Sequence, residues 1–261
     1  MSSVVSSQYP SRASSPATRN PFRFFDLPSE LRLRIYEEAL LVDEPLDLNT
    51  SNYRTIRPRL NLFLVSHRMY DEATRVFYSQ TVRLYPRPGR FEQTKRPLLA
   101  RLSPATRAKI TTLELRLGTG WTSPPRCQNT NESLGLRDCI SLKKLKIMVE
   151  IDLSNDVFNG FRGKGATKET YSLFSMGLLQ GIFEQAPSLW AVEIDAYPSV
   201  KKDAPLVVGL RKMIDEHKKT LLWGPLRGWE KDSDEPGSIG LEGALARLGI
   251  SDSPRLVTVG A

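Results

Sequence analysis

The side chains able to do chemistry are few in this 261-residue chain. It has two histidines, His67 and His217, and two cysteines, Cys127 and Cys139. His67 directly follows Ser66, the types of a nucleophile and its base. Neighbouring residues on a helix point in different directions, so the two do not form a proton-sharing pair. Two histidines and two cysteines at these separations give no zinc-ligand spacing. In GFRGKGAT, residues 160–167, Gly160 and Gly165 have the separation of a phosphate-binding loop. Ala166 stands where that loop needs its lysine, Lys164 is displaced, and no strand leads through it into a helix, so the segment reads as a flexible glycine loop. Nothing proposes a reaction, a metal or a cofactor. The sequence points instead to a non-enzymatic protein-interaction protein.

Charge is the next candidate for function. The net charge of +8 is concentrated between Arg83 and Lys109, where Arg83, Arg87, Arg90, Lys95, Arg96, Arg101, Arg107 and Lys109 face a single acid, Glu92. Such a patch steers acidic partners or nucleic acid. No aromatic stacking pattern or recognition motif accompanies it, which favours a solvated face over a nucleic-acid site.

Composition sets the compartment. Two cysteines make no disulfide framework and fit a reducing environment. No apolar run approaches a membrane span, and the N-terminus lacks the apolar core of a secretory signal. We therefore expect a cytoplasmic or nuclear protein without a membrane partner. Residues 1–21 are rich in Ser and Pro and carry no acid, so they read as a disordered tail.

The elements that must position any surface fall into two groups. In FRFFDLPSELRLRIYEEALL, residues 22–41, a helix over 26–41 is predicted, with Asp26 as N-cap and Pro28 in the first turn. Leu27, Leu31, Ile35 and Ala39 make one apolar stripe; Leu33, Tyr36 and Leu40 make another. A surface helix needs one stripe, so the second is either core or a docking surface. Residues 42–59 read as a loop, and helix resumes from Leu60 to Ser79 with Val65, Met69, Ala73, Val76 and Phe77 at helical spacing. TVRLY then reads as a short strand.

Beyond residue 103 a pattern repeats. ITTLELRL at 110–117, LKKLKIMV at 142–149 and LWAVEIDA at 189–196 align without gaps. Apolar residues recur at offsets 0, 3 and 5: Ile110, Leu113, Leu115; Leu142, Leu145, Ile147; Leu189, Val192, Ile194. This is the strand pattern of a leucine-rich solenoid, with steps of 32 and 47 residues against a regular period of ~20–29. Helices are predicted over 171–185, apolar on most sides, and over 205–220, with Lys218 and Lys219 at its negative end. EKDSDEPGS reads as a linker, and LEGALARLGI at 241–250 as a terminal helix or a loose segment.

The stretch from FRFFDLPSELRLRIYEEAL to LFLVSHRMYDEATRVFYSQTVRLY resembles the N-terminal module of fungal F-box-like proteins. Leu27-Pro28-x-Glu30-Leu31, Ile35-Tyr36, and Val65-Ser66 through Glu72-Ala73 to Phe77-Tyr78 carry the resemblance, over residues 22–85. It implies a module that docks on a Skp-type adaptor and brings an unknown protein substrate to a cullin–RING ubiquitin ligase. Leu27, Pro28, Leu31 and Ile35 would supply docking or core contacts.

The expected fold class is α/β (α+β): a disordered tail over 1–21, an F-box-like helical module over 22–85, a degenerate leucine-rich-repeat-like helix/strand domain with a mostly parallel sheet over 86–230, and a linker with a loosely ordered segment over 231–261. Two alternatives stay open. One is a structural scaffold whose F-box-like helices bind no adaptor. The other is a regulatory factor using the basic 83–109 segment.

Overall fold

The computed structural model describes residues 22–47, 50–85, 97–118, 128–162 and 164–229. The tail assigned to 1–21 and the segment assigned to 231–261 lie outside the described residues, as do Arg87, Arg90, Glu92, Lys95, Arg96 and Cys127.

Four predicted strands and a fifth that the sequence does not signal form the backbone of the fold. Strands β1 (Thr81–Arg83), β2 (Thr112–Leu117), β3 (Lys144–Val149), β4 (Ala191–Ala196) and β5 (Thr220–Trp223) build one sheet, in chain order and all parallel. The gap-free alignment of the three repeats is the register itself. Leu113 pairs Leu145 and Leu145 pairs Val192; Leu115 pairs Ile147 and Ile147 pairs Ile194. The residue at offset 0 of each repeat, Ile110, Leu142 or Leu189, is buried just before its strand.

Strand order then determines the layers. Parallel crossovers are right-handed, so strands laid down in chain order carry every connection on one face. Burial follows: Leu113, Leu115, Leu117, Leu145, Ile147, Val149, Val192, Ile194 and Ala196 are buried, whereas the residues between them are, apart from Ala191, only half-buried. Helices cover one side of the sheet and charged side chains line the other. This is a singly wound α/β array.

Seven α-helices are assigned among the described residues. Helix α1 spans Ser29–Leu40, one turn later than predicted. Asp26 is not its cap: it closes a 3-10 turn over Phe24–Asp26, and Pro28 takes the N-cap position. The predicted loop over 42–59 contains helix α2 (Thr50–Ile56), and Leu46 pairs with β1, its N–H donating to the Thr81 carbonyl at 2.8 Å. The predicted helix from 60 to 79 is divided. A 3-10 turn over Arg59–Leu64 precedes α3 (His67–Tyr78), where the Ser66 hydroxyl accepts the Met69 N–H at 3.2 Å and caps the helix. Short α4 (Leu98–Arg101) and α5 (Pro104–Arg107) precede β2. Helix α6 (Thr170–Gln185) buries Leu178, Leu179, Ile182 and Phe183. Helix α7 (Pro205–Glu216) ends before Lys218, whose φ of 54° breaks it, and TLLW beyond is a strand rather than a helix end.

The division at residue 85 does not separate the sheet from the helical module. β1 lies within 22–85 yet pairs with β2, and Lys109 reaches back to donate to the Thr74 hydroxyl at 2.5 Å. No helix among the described residues is long and apolar enough to cross a membrane.

Candidate docking surface

Helix α1 has one inward face, and it is not the one hydrophobicity selects. Arg32, Tyr36 and Leu40, spaced by four, are buried. Leu40 packs in the core and Tyr36 meets Phe24 edge to face, centroids 5.4 Å apart. Arg32 is tolerated inside because Glu72 of α3 meets it bidentately, with Nε–Oε2 and Nη2–Oε1 both 2.9 Å. An arginine fork matched to a carboxylate satisfies both charges in one geometry. Tyr36 also donates to Glu72 at 3.2 Å and Arg68 donates at 3.3 Å. The Arg32 hydrogen bonds hold the Glu72 carboxyl below its ordinary range, and burial pushes the Tyr36 phenol up to about 12. The guanidinium of Arg68 stacks over Phe25 at 4.7 Å. Phe24 and Phe25 thus clasp the α1–α3 pair.

With that face inward, the predicted stripe of Leu27, Leu31, Ile35 and Ala39 turns to the side. Leu31 is 48% exposed and Ile35 is 44% exposed, one turn apart, with Leu27 and Ala39 half-buried. Pro28 is exposed. Of the second stripe, Tyr36 and Leu40 are core, while Leu33 is exposed about 200° round the helix from Leu31. The same module also exposes Phe22, Leu64 and Val65. Sequence reading found the two-sided helix but not the Arg32–Glu72 fork. The available signal was the spacing of Arg32, Tyr36 and Leu40.

A second surface is the open face of the sheet. In one row across the strands Arg83, Glu114, Lys146 and Glu193 alternate in sign. Arg83 pairs with Asp47 and, at 3.1 Å, with Glu114; Arg116 lies 3.1 Å from both Glu114 and Glu150; Lys144 and Lys146 share Glu193. Opposite charges on facing strands stabilise the ladder. The surface is polar and close to neutral.

Among the described residues of the basic stretch, two arginines are taken up by the same kind of pairing. Arg83 is buried in the ladder rather than presented to solvent, and Arg107 binds Asp138 at 2.7 Å. Lys109 lies over the Tyr70 ring at 5.3 Å, and Arg101 is exposed at the end of α4. His67 is exposed, His217 packs on Phe183 with centroids 4.9 Å apart, and Cys139 is buried with its thiol pushed up to about 12 by burial. The described residues hold no group of three or more His, Cys, Asp or Glu able to bind a metal.

No family model, no curated protein and no solved structure matches the chain.

Proposed function

We propose that residues 22–85 are an F-box-like docking module, that the Leu27–Leu31–Ile35 ridge of α1 binds a Skp-type adaptor, and that the parallel-sheet region presents a protein substrate to a cullin–RING ligase. The protein acts by binding, in the cytoplasm or nucleus where such ligases work. The observation that carries this reading is the exposure of Leu31 and Ile35 on a helix whose core contacts are already made by Tyr36 and Leu40. Covering the remaining half of each side chain contributes about 1 kcal/mol apiece. That is too little to offset association costs of at least ~4 kcal/mol. The complex therefore draws on further exposed apolar residues, and Phe22, Leu64 and Val65 are the most exposed in this module.

The scaffold alternative differs in one respect: the same helices bind no adaptor. The reading as a nucleic-acid factor has less support, since Arg83 and Arg107 are already neutralised by carboxylates.

The test is co-purification of the full chain with a Skp-type adaptor. Wild type is expected to retain the adaptor, and Leu31→Asp/Ile35→Asp to lose it while keeping its thermal transition. Well-folded wild type that retains no adaptor refutes docking and favours the scaffold. Equal retention by the double variant refutes the ridge.

A further inference from the structure

Helix α6 carries two glycines one turn apart, Gly177 and Gly181, in an interior where glycine is destabilising relative to alanine. Only one of them is explained by packing. The Thr130 side chain lies so close to Gly181 that an added Cβ would collide with it. At Gly177 nothing among the described residues lies within 4 Å of the place a Cβ would take. The missing side chain opens a groove of about 320 Å³ between α6 and segment 128–130, with Leu173, Phe174 and Leu178 on the helix side and Gln128, Asn129 and Thr130 opposite. That second wall is fixed. The Tyr85 hydroxyl donates to the Asn129 carbonyl at 2.7 Å, and Gln185 Nε2 donates to the Thr130 carbonyl. The groove is therefore formed before anything enters it. Its volume lies at the low end of ligand sites, ~300–1,000 Å³, which suits one large side chain better than a cofactor.

The lining determines what the groove accepts. None of the lining residues is charged, and three are apolar. Leu173 is 67% exposed, so the groove is open to a macromolecule and not only to a small solute. Gln128 is 7% exposed, and its Oε1 is buried with no hydrogen-bond partner. Native folds leave few such groups unpaired, and each calls for a reason. Half a turn about the terminal torsion of Gln128 exchanges its oxygen and nitrogen, so the group can accept or donate. A main-chain amide unit offers both a donor and an acceptor and matches it in either orientation.

We propose that this groove is a peptide-binding site, taking one large apolar side chain over Gly177 while the adjoining main-chain amide pairs with the Gln128 carboxamide. The occupant is a neutral, apolar-bearing segment of a protein partner. The inference rests on the preceding reading for that partner's role as substrate, and not for the binding itself.

The test is a nuclear magnetic resonance titration of the isotope-labelled full chain with three capped tripeptides, acetyl-Ala-Leu-Ala-amide, acetyl-Ala-Phe-Ala-amide and acetyl-Ala-Glu-Ala-amide. One buried side chain and one hydrogen bond correspond to a roughly millimolar dissociation constant. The Leu and Phe peptides are expected to shift the amide resonances of 128–130 and 173–178 saturably, and the Glu peptide to leave them in place. Gly177→Leu fills the groove and abolishes these shifts, while its thermal transition holds or rises because leucine is the better helix former. Gln128→Leu weakens binding about 2- to 10-fold, the value of one hydrogen bond. The absence of a saturable shift in folded wild type overturns the proposal. So do shifts that survive Gly177→Leu or that the Glu peptide reproduces, and undiminished binding by Gln128→Leu overturns the amide pairing. Leu31→Asp/Ile35→Asp is expected to bind the peptides as wild type does, so failure of the groove and failure of adaptor docking are read separately.

Discussion

Substituting α1 residue by residue with alanine measures which side of the helix is held by the core. Leu40 is fully buried, so Leu40→Ala removes its transfer free energy and leaves a cavity, costing about 2–5 kcal/mol. Ile35 is 44% exposed. Its truncation removes roughly half the transfer term, about 1 kcal/mol, and leaves no closed cavity. The higher helix propensity of alanine returns a few tenths of this. Followed by circular dichroism in urea, with a slope of about 2 kcal/mol/M, Leu40→Ala lowers the midpoint by about 1–2.5 M and Ile35→Ala by no more than about 0.5 M. Leu31→Ala behaves as Ile35→Ala does. Similar shifts at positions 31, 35 and 40 would mean that the ridge is core, and the docking surface would go with it.

Glu72 is held low by Arg32, so its contribution to stability is present above the unfolded carboxyl value of 4.5 and is lost as pH falls through the folded value. Glu72→Gln should lower the melting temperature at pH 7 and flatten its decline below pH 4.5; an unchanged acid limb contradicts the Arg32 fork. Cys139 and Tyr36 are raised, so the stability tied to their neutral forms fades as pH climbs from about 9 towards 12. Mass-resolved alkylation at pH 8 should find the Cys139 peptide unreacted in native protein and labelled in urea; rapid native labelling argues against its burial. Gly224→Ala would put a Cβ 2.3 Å from that of Asp195, whose carboxylate accepts the Leu226 and Arg227 N–H groups at 3.0 and 2.9 Å. Loss of that turn at the end of β5 is expected to cost about 1–3 kcal/mol, read as a lowered urea midpoint; a wild-type midpoint refutes the close approach.

What the sequence made legible is the part governed by short-range periodicity. Leu113, Leu145 and Val192 align because one face of each strand must be apolar, and the alignment is the hydrogen-bonded register. The stripe of Leu27, Leu31 and Ile35 is legible for the same reason, but not its exposure: periodicity offered the stripe of Leu33, Tyr36 and Leu40 as the spare one, and Tyr36 and Leu40 are core. What escaped depends on partners distant in sequence. Arg32 reads as surface until Glu72, forty residues away, supplies its counter-charge. Arg83 reads as part of a basic patch until Asp47 and Glu114 enclose it. β5 escaped because four residues, Thr-Leu-Leu-Trp, show no alternation of their own, and Leu46 because an isolated bridge in a proline-bearing stretch has no local signature.

Because each strand joins only its predecessor's edge, the ladder is indifferent to how much chain lies between one strand and the next. The excursion from Glu150 to Glu169 already exploits this, leaving the β3–β4 pairing intact across the longest step in the array. Gly160 and Gly165 there have nothing within 4 Å of an added side chain. A peptide tag or reporter spliced at that bend would ride outside the array and leave the strand ladder and the Leu31–Ile35 ridge untouched.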